Sequence, residues 1–223
     1  MTSKNRVKTY VSGGYYHIYN RGVAKQDIFL DKQDYRVYLN YLKQALTQPN
    51  IIKVKKYVQG RSFNAVTRLP KNFQKNIFLI AYCLMPNHFH LLIKQNDINA
   101  MESFMRSIAT RYASYFNKKN DRVGPVFQGR YKAIMITDDK YLLHLSRYIH
   151  LNPYEITNNL LDSYSSYADY LSRKSTSWVK PEIVLKFFKQ KTIPEINKFN
   201  NYRDFVENSK VGSAVFPDEL ALD

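Results

Sequence analysis

Two histidines one residue apart, His88 and His90, stand in the run Pro86-Asn87-His88-Phe89-His90-Leu91-Leu92-Ile93. Side chains of a strand leave alternately by its two faces, so these imidazoles project together and can share one cation. On a half-buried sheet the same pair can equally be satisfied by backbone or water. Further along, Tyr141, His144, Tyr148 and Asn152 fall within about 80° of arc on a helix, beside an apolar stripe of Leu142, Leu145 and Ile149. A tyrosine can act as a nucleophile through its phenolate, but with a pKa of about 10 it needs a cation or a base beside it at neutral pH. The same helix has a purely structural reading, with Tyr148 a buried aromatic, His144 solvated and Asn152 a C-terminal cap before Pro153. His150, about 200° round from Tyr148, belongs to another face.

The elements that must position these residues are legible in outline. Residues 15 to 20 are rich in β-formers and run into Arg21-Gly22, which reads as a strand and a turn. From Asp31, a plausible N-cap, to about Thr47 the residues Tyr35, Tyr38, Leu39, Leu42 and Leu46 recur at helical spacing. Residues 51 to 76 form a basic, β-like excursion with seven Lys or Arg, no Asp or Glu, and Gly60 as a turn. Ile77 to Met85 is a nearly continuous apolar run, the pattern of a strand buried on both faces, and Pro86-Asn87 turns it into a second strand from His88 to Lys94. A helix over 97 to 118, β-like sequence from Phe127 to Ile136, a helix starting at Thr137 and ending at Asn152-Pro153, and two helical patterns at 181 to 190 and 194 to 208 complete the chain. This order predicts an α+β fold, a ferredoxin-like antiparallel sheet with helices packed on one side and a helical C-terminal extension.

Composition narrows the partners. The chain has 223 residues with 34 Lys and Arg against 18 Asp and Glu, a formal net charge of +16, which favours a polyanion. Arg106, Arg111, Lys118, Lys119, Arg122, Arg130 and Lys132 are interleaved with Tyr112, Tyr115, Phe116, Phe127 and Tyr131. Cations for phosphates and flat rings for unpaired bases suit single-stranded or hairpin DNA, although a solvated basic face over an aromatic core gives the same pattern. One cysteine, Cys83, excludes an internal disulfide and a Cys-rich zinc site. No run approaches the roughly 20 apolar residues of a membrane span, and the first residues lack the apolar core of a signal peptide, so a soluble cytoplasmic protein with no membrane partner is expected.

The run from Ala81 to Ile93 resembles the signature of the HUH single-tyrosine transposases, specifically their REP-associated branch. Three other runs resemble it too: His17-x-Tyr19-Asn20-Arg21-Gly22, then residues 124 to 132 (Gly-Pro-Val-Phe-Gln-Gly-Arg-Tyr-Lys), then Arg147-Tyr148-Ile149-His150-Leu151-Asn152-Pro153. The resemblance covers roughly residues 13 to 170, and four motifs in order make it far more specific than any one alone. It implies an HUH endonuclease fold in a catalytic domain over 1–170, interrupted by the insertion 51–76 and followed by the extension 171–223. It implies Mg²⁺ or Mn²⁺ held by His88, His90 and, in place of a family glutamine, the shorter Asn152. It further implies that Tyr148 attacks single-stranded or hairpin DNA, leaving a 5′-phosphotyrosine and a free 3′-OH, so that strands are nicked and rejoined without ATP. Palindromic elements are the implied targets, with Arg21, Lys53, Lys55, Lys56, Arg106, Arg111, Arg130 and Lys132 as expected DNA contacts. Relatives act as homodimers or monomers, and a monomer is expected because the extension can cover the dimerising surface. Two other functions remain compatible with the sequence: a non-catalytic nucleic-acid-binding protein of ferredoxin-like fold, and a domesticated nuclease.

Overall fold

The computed structural model describes residues 10–49, 53–66 and 70–208. Among these residues six strands form, β1 (Tyr15–Arg21), β2 (Lys53–Val58), β3 (Arg61–Val66), β4 (Ile77–Met85), β5 (His88–Gln95) and β6 (Lys132–Ile136). The α-helices are α1 (Lys32–Leu46), α2 (Ala100–Lys119), α3 (Asp139–Leu151), α4 (Tyr167–Tyr170), α5 (Glu182–Gln190) and α6 (Tyr202–Glu207). Four strands make one antiparallel sheet in the order β4-β5-β1-β6, and β2 and β3 form a separate hairpin. The helix-bearing antiparallel α+β sheet expected from the sequence is therefore present.

Strand parity divides the core into two layers. Phe89, Leu91 and Ile93 of β5, with Tyr16 and Ile18 of β1, pack against Tyr38 and Leu42 of α1 and Phe104, Ile108 and Tyr112 of α2. The alternate residues, including Leu92 of β5, meet Leu142, Leu145 and Ile149 of α3 and Val184, Phe187 and Phe205 of the C-terminal helices. Helices thus lie on both faces: α1 and α2 form the expected layer, while α3 and the extension close the other side. This second layer explains the apolar run of β4, whose residues from Leu79 to Met85 are all buried and divide between both cores. A register shift between Leu79 and Ala81 lets Ile80 and Ala81 both join the second layer.

Local chemistry accounts for the element boundaries. Asp31 caps α1 by accepting hydrogen bonds from the backbone N–H groups of Gln33 and Asp34. The buried Asp34 carboxylate takes Lys119 Nζ at 2.6 Å, Tyr115 at 2.8 Å and the Leu30 N–H at 2.8 Å, joining the start of α1 to the end of α2. The cap of α3 is Asp138, whose carboxylate accepts from Tyr141 N at 2.7 Å, one residue later than the expected Thr137. Gln59 and Gly60 both adopt positive φ, 50° and 78°, as a tight hairpin turn requires, and Gly60 does so without steric cost.

Three expectations are corrected in detail. Phe127 to Tyr131 is not strand: Phe127 makes an isolated bridge to Gly22, Gly129 turns at φ 74°, and β6 begins only at Lys132. The second long helix starts at Ala100, after Asp97 has turned the chain by accepting from Asn99 N. The pattern at 194 to 208 divides into a short 3₁₀ turn (Pro194–Ile196) and α6. The outer edge of β4 is covered rather than exposed, because Leu79 bridges Val179 and Cys83 bridges Ser165. Among the described residues no helix is long and apolar enough to cross a membrane.

Candidate active site

The β4–β5 hairpin aims both histidines at α3. His88 and His90 alternate with Phe89, which faces α1 and α2, so the two imidazoles share the α3 side, 5.0 Å apart between centroids and nearly perpendicular. Both are buried. On β1, Tyr19 lies opposite His90 and Arg21 opposite His88, while His17 stands diagonally one pleat away on the same face. Tyr148 of α3 meets the cluster edge-on, its ring 5.4 Å from that of His90 and 6.3 Å from that of His17.

Hydrogen bonds fix the orientation of each donor atom. Asn87 Nδ2 donates to the Lys25 carbonyl at 3.3 Å, which turns Asn87 Oδ1 toward His88 to accept from its Nδ1 at 2.6 Å. His88 Nε2 is then a bare lone pair. One turn beyond Tyr148, Asn152 donates through Nδ2 to the Tyr148 carbonyl at 2.9 Å, leaving Oδ1 3.4 Å from His88 Nε2. Two acceptors therefore face each other. His90 uses Nδ1 in a 2.8 Å hydrogen bond with His17 Nε2, and its own Nε2 is buried with no partner among the described residues.

Electrostatics keeps these two imidazoles neutral. Burial pushes His88 down to about 4, with Arg21 adding to the shift and the Asn152 contact opposing it. Burial, reinforced by His17 and His88, holds His90 well below the usual imidazole range. Burial raises the Tyr148 phenol, partly offset by Asn152, so the hydroxyl is protonated at neutral pH, and any nucleophilic role would require removal of that proton. Among the described residues no three His, Cys, Asp or Glu side chains converge in metal-ligating geometry. The candidate donor set is two neutral imidazoles and an amide oxygen, with an orphaned buried nitrogen among them, and it suits a divalent cation that retains water or phosphate oxygens.

Other residues of the expected sets separate in space. His144, on the same helical arc as Tyr148, turns instead to the extension, 3.4 Å from Glu195 and against the ring of Phe205. His150 is buried on the opposite side, as its helical angle predicts, between Tyr202 at 2.7 Å and Ser166 at 2.8 Å. Among the expected DNA contacts, Arg21 adjoins His88, and Lys132 Nζ sits 5.5 Å over the Tyr19 ring. Arg106 and Arg130 lie across the sheet around a cavity of about 630 Å³ with Tyr10, Asn20, Phe127 and Tyr131. Arg111 is half-buried, stacked 4.0 Å over Tyr41 and hydrogen-bonded to Gln44, and so braces α1 against α2. Lys53, Lys55 and Lys56 all belong to β2, where Lys55, Tyr57, Arg61 and Phe63 of the hairpin are exposed. The residue missed was His17. Its period-two spacing with Tyr19 was the available signal, but only strand pairing brings it to His90.

Residues 54–152 match the family model of the IS200-like transposases. Among solved structures, a REP-associated tyrosine transposase bound to a REP hairpin is similar at 14% identity, covering 80% of this chain and 98% of the other, with a TM-score of 0.52. A candidate transposase from Deinococcus radiodurans is matched at 12% identity over 67% of this chain and 95% of the other, with a TM-score of 0.37. No curated protein matches the chain. The matched segment runs from the β2–β3 hairpin through both histidines to Tyr148 and Asn152, and the sheet that carries them has the fold of the hairpin-bound structure. Residues 54–152 thus resemble the IS200-like transposases, and the chain shares the fold of a REP-associated tyrosine transposase.

Proposed function

We propose that this protein nicks and rejoins single-stranded or hairpin DNA, with Tyr148 as the nucleophile. The observation that carries this reading is the edge-on approach of Tyr148 to His90, at 5.4 Å, with Asn152 one turn later facing His88 at 3.4 Å. His88, His90 and Asn152 would hold Mg²⁺ or Mn²⁺, which when bound supplies positive charge beside the scissile phosphate and beside the phenol. Tyr148 Oη loses its proton and forms a bond to phosphorus. The bond from phosphorus to the 3′ oxygen breaks, and that oxygen leaves as a 3′-OH after taking up a proton. A strand end attacking the 5′-phosphotyrosine reverses the exchange, so the phosphodiester energy is retained and no nucleotide triphosphate is consumed.

DNA would be held by Arg21 and Lys132 beside the histidines and by Arg106 and Arg130 around the cavity across the sheet. The exposed Lys55, Tyr57, Arg61 and Phe63, with Lys53 and Lys56 on the same strand, make the β2–β3 hairpin a further phosphate- and base-contacting arm. The similarity in fold to a transposase bound to a REP hairpin supports a hairpin substrate. Residues 1–170 would form the catalytic domain, with 171–223 an extension that keeps the tyrosine helix on its own subunit. An end-labelled hairpin oligonucleotide incubated with Mg²⁺ tests the proposal. Site-specific nicking with label retained on the protein is expected, and hairpin binding without any cleavage would leave a nucleic-acid-binding protein instead.

A further inference from the structure

We infer that His17 is a positioning residue for the cation site: its Nε2 accepts the Nδ1 hydrogen of His90, which fixes His90 in the tautomer whose Nε2 is bare. This rests on the proposed role of His90 as a ligand. The two ring nitrogens are 2.8 Å apart, the ring planes lie within 14° and the centroids are 5.0 Å apart. That separation is close to the largest a 2.8 Å bond allows between two five-membered rings, so the nitrogens point straight at each other, nearly in both ring planes. The contact is a linear hydrogen bond, not a face-to-face stack.

One proton must lie in that bond, and it can belong to either ring. If His17 donates it, neutral His90 carries its other hydrogen on Nε2, where it blocks a ligand and lies buried with no acceptor. If His90 donates it, His17 carries its own hydrogen on Nδ1, which among the described residues also has no partner, but His90 Nε2 is a free lone pair that a cation would satisfy, so it is the cation that selects this tautomer. Both rings are fully buried. The fold confines the pair to one geometry: β1 and β5 are hydrogen-bonded neighbours, and Tyr19 lies 4.9 Å from His17 and 6.0 Å from His90. An outer partner that fixes a ligand's tautomer in this way is worth about 10–100-fold in metal affinity.

Ring-nitrogen NMR of the wild type with Mg²⁺ bound reads the tautomer directly. The hydrogen of His90 is expected on Nδ1, and finding it on Nε2 overturns the inference. Titration with Mn²⁺, followed by loss of the free-ion EPR signal, supplies the second readout. His17→Phe keeps a buried ring but removes the acceptor, and is expected to weaken Mn²⁺ about 10–100-fold. His17→Gln places an amide oxygen near the former Nε2 and is expected to retain most of the affinity. Equal Mn²⁺ affinity in wild type and His17→Phe would contradict the positioning role alone. A wild type that binds no Mn²⁺ would overturn the cation site itself and this inference with it. Should His17→Phe fail to fold, the wild-type spectrum and His17→Gln still decide.

Discussion

Asn152 and His88 confront each other through lone pairs: Oδ1 of the amide stands 3.4 Å from Nε2 of the imidazole, and each group's hydrogen is committed elsewhere. Two acceptors so placed repel mildly unless a cation or a proton lies between them. With His88 pushed down to about 4, a proton serves only in acid. Asn152→Ala is therefore expected to lower Mn²⁺ affinity severalfold, and Asn152→Asp to raise it by adding charge at the same place. His88→Ala and His90→Ala should lose binding almost entirely. Unchanged affinity in all three alanine variants, read by EPR titration, would remove the site.

The basic residues divide into groups with different expected signatures. Replacing Lys53, Lys55 and Lys56 together with Gln should flatten the log–log salt dependence of hairpin-DNA binding by about two to three units if all three meet phosphates. Arg111→Gln should leave that slope intact and lower the melting temperature instead, since the guanidinium stacks on Tyr41 and bonds Gln44 within the protein. Fluorescence anisotropy at several salt concentrations separates the two outcomes. A slope that falls with Arg111→Gln and not with the triple variant would reverse the assignment.

Much of this was readable before any fold was known, and the gaps have physical causes. The Asp31 cap, the parity of His88 and His90, and the exclusion of His150 from the Tyr148 face are local properties of helix and strand periodicity. His17 was not assigned because its role depends on pairing β1 with β5, a contact between residues 73 apart in sequence. The second helical layer was hidden for a similar reason: a strand buried on both faces carries no alternation to say what covers each side. His144 shares the arc of Tyr148, yet Glu195 and Phe205 of the extension claim it. Phe127 to Tyr131 has strand-like composition, but the turn at Gly129 overrides it.

Stability should carry the imprint of His150. Its ring is fully buried between Tyr202 and Ser166, and burial pushes it down to about 3. The unfolded chain binds this proton below about pH 6.5, whereas the native protein does so only near 3. The stabilisation is thus fully present above pH 6.5 and is lost as pH falls, by about 1.4 kcal/mol per unit for this one group. Urea unfolding of His150→Gln is expected to show a pH slope between 6 and 4 that is smaller by about one proton, with lower stability at pH 7. An unchanged slope would mean that His150 is protonated in the native state.

The same network predicts the assembly state. Tyr202 of α6 accepts from His150 Nδ1 at 2.7 Å and donates to Ser146 at 3.0 Å, both on α3, while Arg147 packs against Phe205. The extension therefore clasps the helix that bears Tyr148 within one chain. Sedimentation equilibrium at micromolar concentration is expected to give a monomer that is fully active in nicking. A stable dimer, or nicking that rises with the square of protein concentration, would contradict a tyrosine supplied in cis.

Mapping the covalent adduct tests the central claim most directly. Tyr148→Phe removes one oxygen and almost no packing area, so fold and hairpin binding should survive while cleavage disappears. Tyr141, two turns earlier on α3, is the substitute that helical geometry makes credible. Wild-type protein incubated with a labelled hairpin oligonucleotide and Mg²⁺, then digested and sequenced by mass spectrometry, is expected to carry a 5′-phosphate linkage on Tyr148 alone. An adduct on Tyr141, cleavage that persists in Tyr148→Phe, or a cut with no adduct would contradict the assignment of Tyr148 as the nucleophile.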